Sequence, residues 1–121
     1  MEFNSVEWHD CVLKDIQIDR SNPGHKDSVK LVIITKTQKK LNILFEDVFH
    51  ADLKMNFNVI AEETIRSAEV NDTDEFLLVL KQKWKAFGTR VNKLKHFEIN
   101  TNSTNSIIKI YALNCYIEKV S

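Results

Sequence analysis

Leu41-Asn42-Ile43-Leu44-Phe45-Glu46-Asp47-Val48-Phe49-His50-Ala51-Asp52-Leu53-Lys54-Met55-Asn56-Phe57 is the stretch whose reading decides the fold. Leu41, Ile43, Phe45, Phe49, Ala51, Leu53, Met55 and Phe57 all stand at odd positions, a series broken only by Asp47. Successive side chains of a strand point to opposite faces, so this alternation predicts a strand with one buried face. Lysine and asparagine between the apolar positions mark the exposed side. The series is too long for one flat strand. A bend or bulge is expected near Glu46-Asp47, where the strand curls around a core.

Upstream, residues 12–20 read as a half-buried strand, with Val12, Ile16 and Ile18 on one face and Asp15, Gln17 and Asp19 on the other. Ser21-Asn22-Pro23-Gly24 ends it: proline presets φ and glycine accepts a positive φ, which fits a type II turn. Residues 28–36 resume as strand with Val29, Leu31 and Ile33 inward, while Val32 and Ile34 predict partial cover on the second face. Downstream, residues 58–71 fit either helix or strand: Val59-Ile60-Ala61-Glu62-Glu63 fits a helical turn and residues 64–70 a strand or its continuation, and the preferred reading is a short turn followed by a strand. Asp72 has the chemistry of an N-cap, with Glu75 completing a capping box. Phe76, Leu77, Leu80, Trp84 and Phe87 recur at helical spacing, and Gly88 supplies a stop.

Residues 95–101 form a further strand with Phe97 and Ile99 inward. The last, 107–120, is apolar on both sides: Ile107, Tyr111, Leu113, Cys115 and Ile117 against Ile108, Ile110, Ala112 and Tyr116. A strand buried on both faces belongs at the centre of a sheet. The expectation is therefore an α+β fold in a single domain, 1–121. It has a curved, mainly antiparallel sheet of five to six strands and one amphipathic helix, about residues 73–87, packed on it.

At 121 residues, 43% apolar and 28% charged, the chain has the composition of an ordinary globular domain. Its longest apolar runs, such as Leu31-Val32-Ile33-Ile34, fall far short of the roughly 20 residues a membrane span needs. The start, Met1-Glu2-Phe3-Asn4-Ser5, has neither the basic region nor the apolar stretch of a signal peptide, so a cytoplasmic location is expected. Cys11 and Cys115 are then expected as reduced, packed thiols. Net charge is zero, with 17 basic and 17 acidic residues, which argues against general nucleic-acid binding. The charge is unevenly spread. Residues 46–75 hold nine acidic and two basic residues, whereas 81–95 hold six basic and no acidic ones. Such a field is first of all a solvated surface, and it also steers charged partners.

No catalytic set assembles from spacing. His9-Asp10 lacks the further ligands a metal site needs, and His25 and His96 stand alone, so no cofactor or metal is expected. Asp47 and His50 point to opposite faces of a strand unless a bulge intervenes. There is no Gly-x-Ser-x-Gly elbow, and the only glycines, Gly24 and Gly88, make no phosphate loop. Trp84 and Phe87 among lysines read as core residues of the helix rather than as a stacking platform for bases.

Trp8-His9-Asp10-Cys11-Val12-Leu13-Lys14-Asp15-Ile16, followed by Leu44-Phe45-Glu46-Asp47-Val48 and Ile110-Tyr111-Ala112-Leu113-Asn114-Cys115-Tyr116-Ile117-Glu118, resembles a family of small bacterial immunity proteins of polymorphic toxin systems. That resemblance implies a class of function, a cytoplasmic binder that neutralises a toxin domain. No functional residue is carried over from it. The leading expectation is thus a non-enzymatic protein-binding module whose partner is a toxin, with Glu46, Asp47, Glu62, Glu63 and Glu69 as candidate contacts on the acidic run. The alternative is a small-ligand or enzymatic site in the concavity of the curved sheet, with Glu46, Asp47, His50 and Tyr111 around it.

Overall fold

The computed structural model describes residues 2–120, apart from the side chain of Phe87. Its strands are β1 (Val12–Asp19), β2 (Ser28–Ile34), β3 (Lys40–Lys54), β4 (Ile65–Asn71), β5 (Lys95–Thr101) and β6 (Ile107–Val120), with one helix, α1 (Glu75–Trp84). All pairings are antiparallel and the order across the single sheet is β1-β2-β3-β6-β5-β4. This is the expected α+β architecture with a curved antiparallel sheet, and β6 lies at its middle, as burial on both faces requires.

The first hairpin turns where proline and glycine stand. The Asn22 carbonyl accepts the His25 N–H at 3.0 Å, and Gly24 has φ 79°. The sheet bends along its two longest strands. Asp47 takes the left-handed conformation, φ 54°, and the β3–β6 register skips one residue between Val48 and His50. An aspartate tolerates that conformation better than most residues. The first part of β3 therefore pairs with β2 and the end of β6, while its second part pairs with the start of β6, which continues to β5 and β4. The two half-sheets fold toward each other until the outer strands touch at one end. Val12 bridges Thr64, with Asp10 N–H donating to the Ile65 carbonyl (2.9 Å) and Ile65 N–H to the Cys11 carbonyl (2.8 Å). Beyond that contact the sheet stays open.

All six strands line one interior. Leu31, Ile33, Ile43, Phe45, Ile65, Ile99, Ile108 and Ile110 are fully buried there, and Phe3, Val6 and Trp8 from the chain start plug it. Trp8 Nε1 donates to the Phe3 carbonyl at 2.8 Å, so its one polar atom is satisfied inside the core. Phe3, Phe45 and Phe97 meet edge-on or tilted, with centroids 5.0–6.4 Å apart.

Some face assignments made from alternation are overturned where bulges interrupt the strands, although on β3 the odd-numbered series resumes beyond the bulge, with Leu53 and Met55 packed against the same core as Leu41, Ile43 and Phe45. Phe49 leaves the β3 series and packs on the opposite, outer face against Trp84. Phe57 lies past the strand and is exposed. A register shift between Leu13 and Asp15 brings Leu13 into the core, Ile16 packs there as alternation predicts, and Ile18, near the end of the strand, is exposed. On β6 the inward set runs Ile108, Ile110, Ala112 and then Cys115, Ile117, while Tyr111 and Leu113 face outward and Tyr116 is exposed.

The helix also differs from the expected 73–87. The Asn71 side chain accepts the N–H groups of Thr73 (3.2 Å) and Asp74 (3.1 Å), shaping a turn that delays the start. Asp74, not Asp72, is the N-cap, accepting the Leu77 N–H at 3.1 Å. After Trp84 the chain tightens into a 3-10 turn, Lys85–Phe87, ended by Gly88 at φ 127°. Leu77 and Leu80 bury against Tyr111, Val91 and Leu94, whereas Phe76 is 39% exposed, packed on one side against His50 and Tyr111, and Trp84 is only half-buried. The place expected for the Phe87 side chain lies outside the described residues.

Candidate functional site

The concavity of the sheet is filled by the aromatic and aliphatic side chains just described, and the residues expected around a site there do not face it. Tyr111 belongs to the outer cluster under α1, His50 touches Phe76 and Tyr111 with ring centroids 4.6 and 5.7 Å away, and Asp47 opens onto a different surface. Glu46, half-buried, faces a shallow depression beside Asp19, Asp27 and Ser28.

The acidic run does not form one face. β3 carries Glu46 and Asp47 at the bend, and the β3–β4 connection with Glu62 and Glu63 sits at the far end of that strand. Glu63 is a structural group. Its Oε1 accepts the N–H groups of Ser103 (3.0 Å) and Thr104 (3.2 Å), and its Oε2 accepts the Thr104 hydroxyl, so it holds the turn between β5 and β6. Glu62 is exposed, 3.9 Å from Lys14 Nζ, while its carbonyl accepts the Ser103 hydroxyl at 2.5 Å. Glu69 is exposed on β4, directly across from Glu98.

Beside Glu62 the same connection leaves large apolar side chains in water: Phe57 is 74% exposed, Val59 48%, and Ile60 is fully exposed. The segment is pinned at its start, where Asn56 N–H donates to Ser106 Oγ (2.9 Å) and its side-chain amide to the Thr104 carbonyl (2.9 Å). The loop is thus held at both ends by polar contacts while its apolar side chains stand in water.

The densest chemistry is buried. His96, 3% exposed, stacks on Tyr111 with centroids 4.8 Å apart and planes 12° apart. Its Nδ1 lies 3.6 Å from Asp74 and 3.3 Å from the Asn71 amide, and its Nε2 lies 3.5 Å from Glu98 with no hydrogen-bond partner. Tyr111 Oη donates to Asp74 Oδ2 at 2.9 Å. Burial and the Asp74 carboxylate push the Tyr111 hydroxyl well above its ordinary range. Burial raises the Asp74 carboxyl, but the Tyr111 hydroxyl, the Leu77 N–H and the charges of His96 and Lys109 outweigh it, and the net position is below the usual value. None of the described clefts reaches His96. The group ties α1 to the sheet.

At the bend, a cleft of about 480 Å³ opens between the β1–β2 turn, the β3 bulge and the segment after α1. It is lined by Arg20 and Asp27 from the turn, Asp47 and Phe49 from the bulge, and Trp84 and Arg90 beyond. Asp27 was hidden from sequence reading because a hairpin aspartate is ordinary turn chemistry. His96 was hidden because only the strand register places it opposite Tyr111.

Trp8 anchors the chain start, and His9 forms only a local, exposed pair with Asp10 at 3.2 Å. His25 sits on the rim of the cleft at the bend. Among the described residues no three histidine, cysteine or acidic side chains are grouped to hold a metal ion, and no helix is long and apolar enough to cross a membrane. Both cysteines are free thiols; burial raises Cys11 and pushes Cys115 up to about 12. No family model matches the chain, and no curated protein matches it.

Proposed function

We propose that this chain is a non-enzymatic protein-binding module, an immunity protein that neutralises a bacterial toxin domain in the cytoplasm. The exposed apolar loop carries the reading: Phe57, Val59 and Ile60 stand in solvent beside the charged Glu62, on a connection held by Asn56. Stranded aromatic and aliphatic side chains cost hydration in the free protein, and a partner that covers them recovers about 25 cal/mol per Å² of apolar surface. An apolar anchor with a charged rim is the common anatomy of a protein interface. The filled concavity supports this reading over a ligand or enzymatic site there. Occlusion of a toxin asks the module for a rigid surface and no chemistry of its own.

The test is co-expression with the toxin domain encoded beside its gene. The chain should restore growth and co-purify with that domain at about 1:1, and Ile60→Asp should weaken the complex by at least about tenfold, the cost of losing one interface anchor. Growth arrest that the wild-type chain leaves unrelieved would refute the toxin reading. Full binding by Ile60→Asp would remove the loop from the interface.

A further inference from the structure

The cleft at the bend is built around two preset acceptors. One oxygen of each carboxylate is held by the protein: Asp27 Oδ2 accepts the Gly24 N–H at 3.0 Å, and Asp47 Oδ2 accepts the Asn114 amide at 3.3 Å. The other oxygens are not hydrogen-bonded partners of their neighbours. Asp27 Oδ1 is buried without a hydrogen bond, its closest cation being Arg20 Nε at 3.6 Å, and Asp47 Oδ1 lies 3.8 Å from Arg90. The carboxylates are the deeper groups, 26% and 27% exposed, while Arg20 and Arg90 lie on the rim at 74% and 58%. A buried oxygen lacking a donor calls for a ligand that donates.

The walls define its shape. Phe49 and Trp84 meet edge-on at 5.7 Å, and both already attract cations: the Arg90 guanidinium lies 5.8 Å from the Phe49 centroid and the Lys83 ammonium 5.5 Å from that of Trp84. Val48, Val91 and Pro23 complete an apolar lining suited to a methylene stem. We infer that the cleft receives an arginine side chain of a protein partner, its guanidinium between Asp27 and Asp47 and its stem along Phe49 and Trp84. Guanidinium is flat, carries five donors and stacks on aromatic rings, so it serves two carboxylates from different elements at once. The resident arginines oppose entry only weakly, because exposed ion pairs at these distances contribute little. An anion, by contrast, would meet the two carboxylates as the deepest groups.

The inference rests on the protein-binding reading only for the source of the arginine, so the cleft is tested first without a partner. Isotope-labelled full-length chain is titrated with N-acetyl-arginine amide, N-acetyl-lysine amide and inorganic phosphate while the Trp84 indole N–H signal is followed. The buried Trp8 indole serves as the internal reference. The arginine probe should shift Trp84 saturably and bind at least about threefold more tightly than the lysine probe, because it alone is bidentate. Asp27→Asn and Asp47→Asn should each weaken it by about fivefold or more, as expected when a partner charge is removed. Both variants keep an acceptor for Gly24 or Asn114, and asparagine tolerates the left-handed position, so folding is preserved. Arg90→Ala should tighten binding by about twofold, since it removes the competitor at Asp47. Phosphate binding that Arg90→Ala abolishes, or arginine binding indifferent to both Asp variants, or no saturable shift, would overturn the proposal. Probe binding together with failure to rescue from the toxin leaves the cleft standing and removes the toxin; rescue without probe binding does the reverse.

Discussion

Glu63 separates a structural reading of the acidic run from a purely electrostatic one. Its carboxylate takes three donors from a turn about forty residues away, two of them the backbone N–H groups of Ser103 and Thr104. Each hydrogen bond to a charged acceptor is worth about 1.5–3 kcal/mol, and removing the acceptor from a half-buried site leaves donors that water re-solvates only in part. Glu63→Ala should therefore lose about 2–3 kcal/mol, discounted from the sum because the turn is half open. For a domain of this size that corresponds to a drop of about 8–12 °C in Tm. Glu63→Gln, which keeps one acceptor oxygen, should lose about half as much. Urea unfolding followed by tryptophan fluorescence reads the change directly, with the m-value as a check that the unfolded state is unaltered. Glu62→Gln, at an exposed side chain, should stay within about 0.5 kcal/mol. Glu69→Gln should be neutral or slightly stabilising, because Glu69 faces Glu98 across the β4–β5 pair and like charges opposite each other repel. A Glu63→Ala protein that melts within 0.5 kcal/mol (the ordinary surface limit) of wild type would refute the turn-holding role. The acidic run would then be a solvated surface throughout.

The Asp74 carboxyl lies below its ordinary value in the folded state, so its contribution is complete above about pH 4 and disappears as pH falls through the folded value. Acid melting curves should show that loss, and Asp74→Asn, which retains an N-cap residue, should flatten it. Tyr111→Phe should cost about 1–2 kcal/mol by removing the hydroxyl bonded to Asp74. An equal Tm for that variant would contradict the tie between helix and sheet. Trp84→Ala should cost about 2 kcal/mol, below the 3–5 typical of a fully buried aromatic, because Trp84 is half-buried, whereas Phe45→Ala should reach that full range. Both thiols lie above their ordinary value, so the native protein should react slowly with a thiol reagent at neutral pH and expose both cysteines on denaturation; fast labelling of the folded chain would contradict the burial.

Local rules carried far in this chain. Alternation located the strands other than β4, whose stretch reads as helix or strand, the Pro23-Gly24 pair located the first turn, and helical spacing located α1 to within a few residues. Each rests on interactions between near neighbours, which sequence displays directly. The candidate site was less legible. Glu46, Asp47, Glu62, Glu63 and Glu69 read as one acidic run, yet β3 carries the first two to the bend and the others to its opposite end or onto β4. Carboxylates that look equivalent in sequence become a turn support, a cleft acceptor and a free surface charge, according to the donors that the fold brings to each.

Composition and periodicity by themselves determined the class of fold, the antiparallel strands, the amphipathic helix and the central position of β6. Backbone geometry at each of these places follows from the residue and its close neighbours. Alternation also placed Val29, Leu31, Ile33, Leu41, Ile43, Phe45, Phe97 and Ile99 on the buried face, and only the tertiary structure decided the faces at the irregular places. The bulge at Asp47–Phe49, marked in the sequence by the break in the odd-numbered series at Asp47, and the register shift in β1 change single faces: Phe49 turns outward and Leu13 inward, while Leu53, Met55 and Ile16 keep the face that alternation gives them. The bulge sends Phe49 outward to Trp84, and the cleft at the bend opens beside them. In the same way Asp74 rather than Asp72 caps the helix, because Asn71 shapes the preceding turn and Tyr111, thirty-seven residues on, supplies the donor that its second role requires. Contacts across such separations are set by how the half-sheets close on a filled interior, and a single chain of letters does not record that closure.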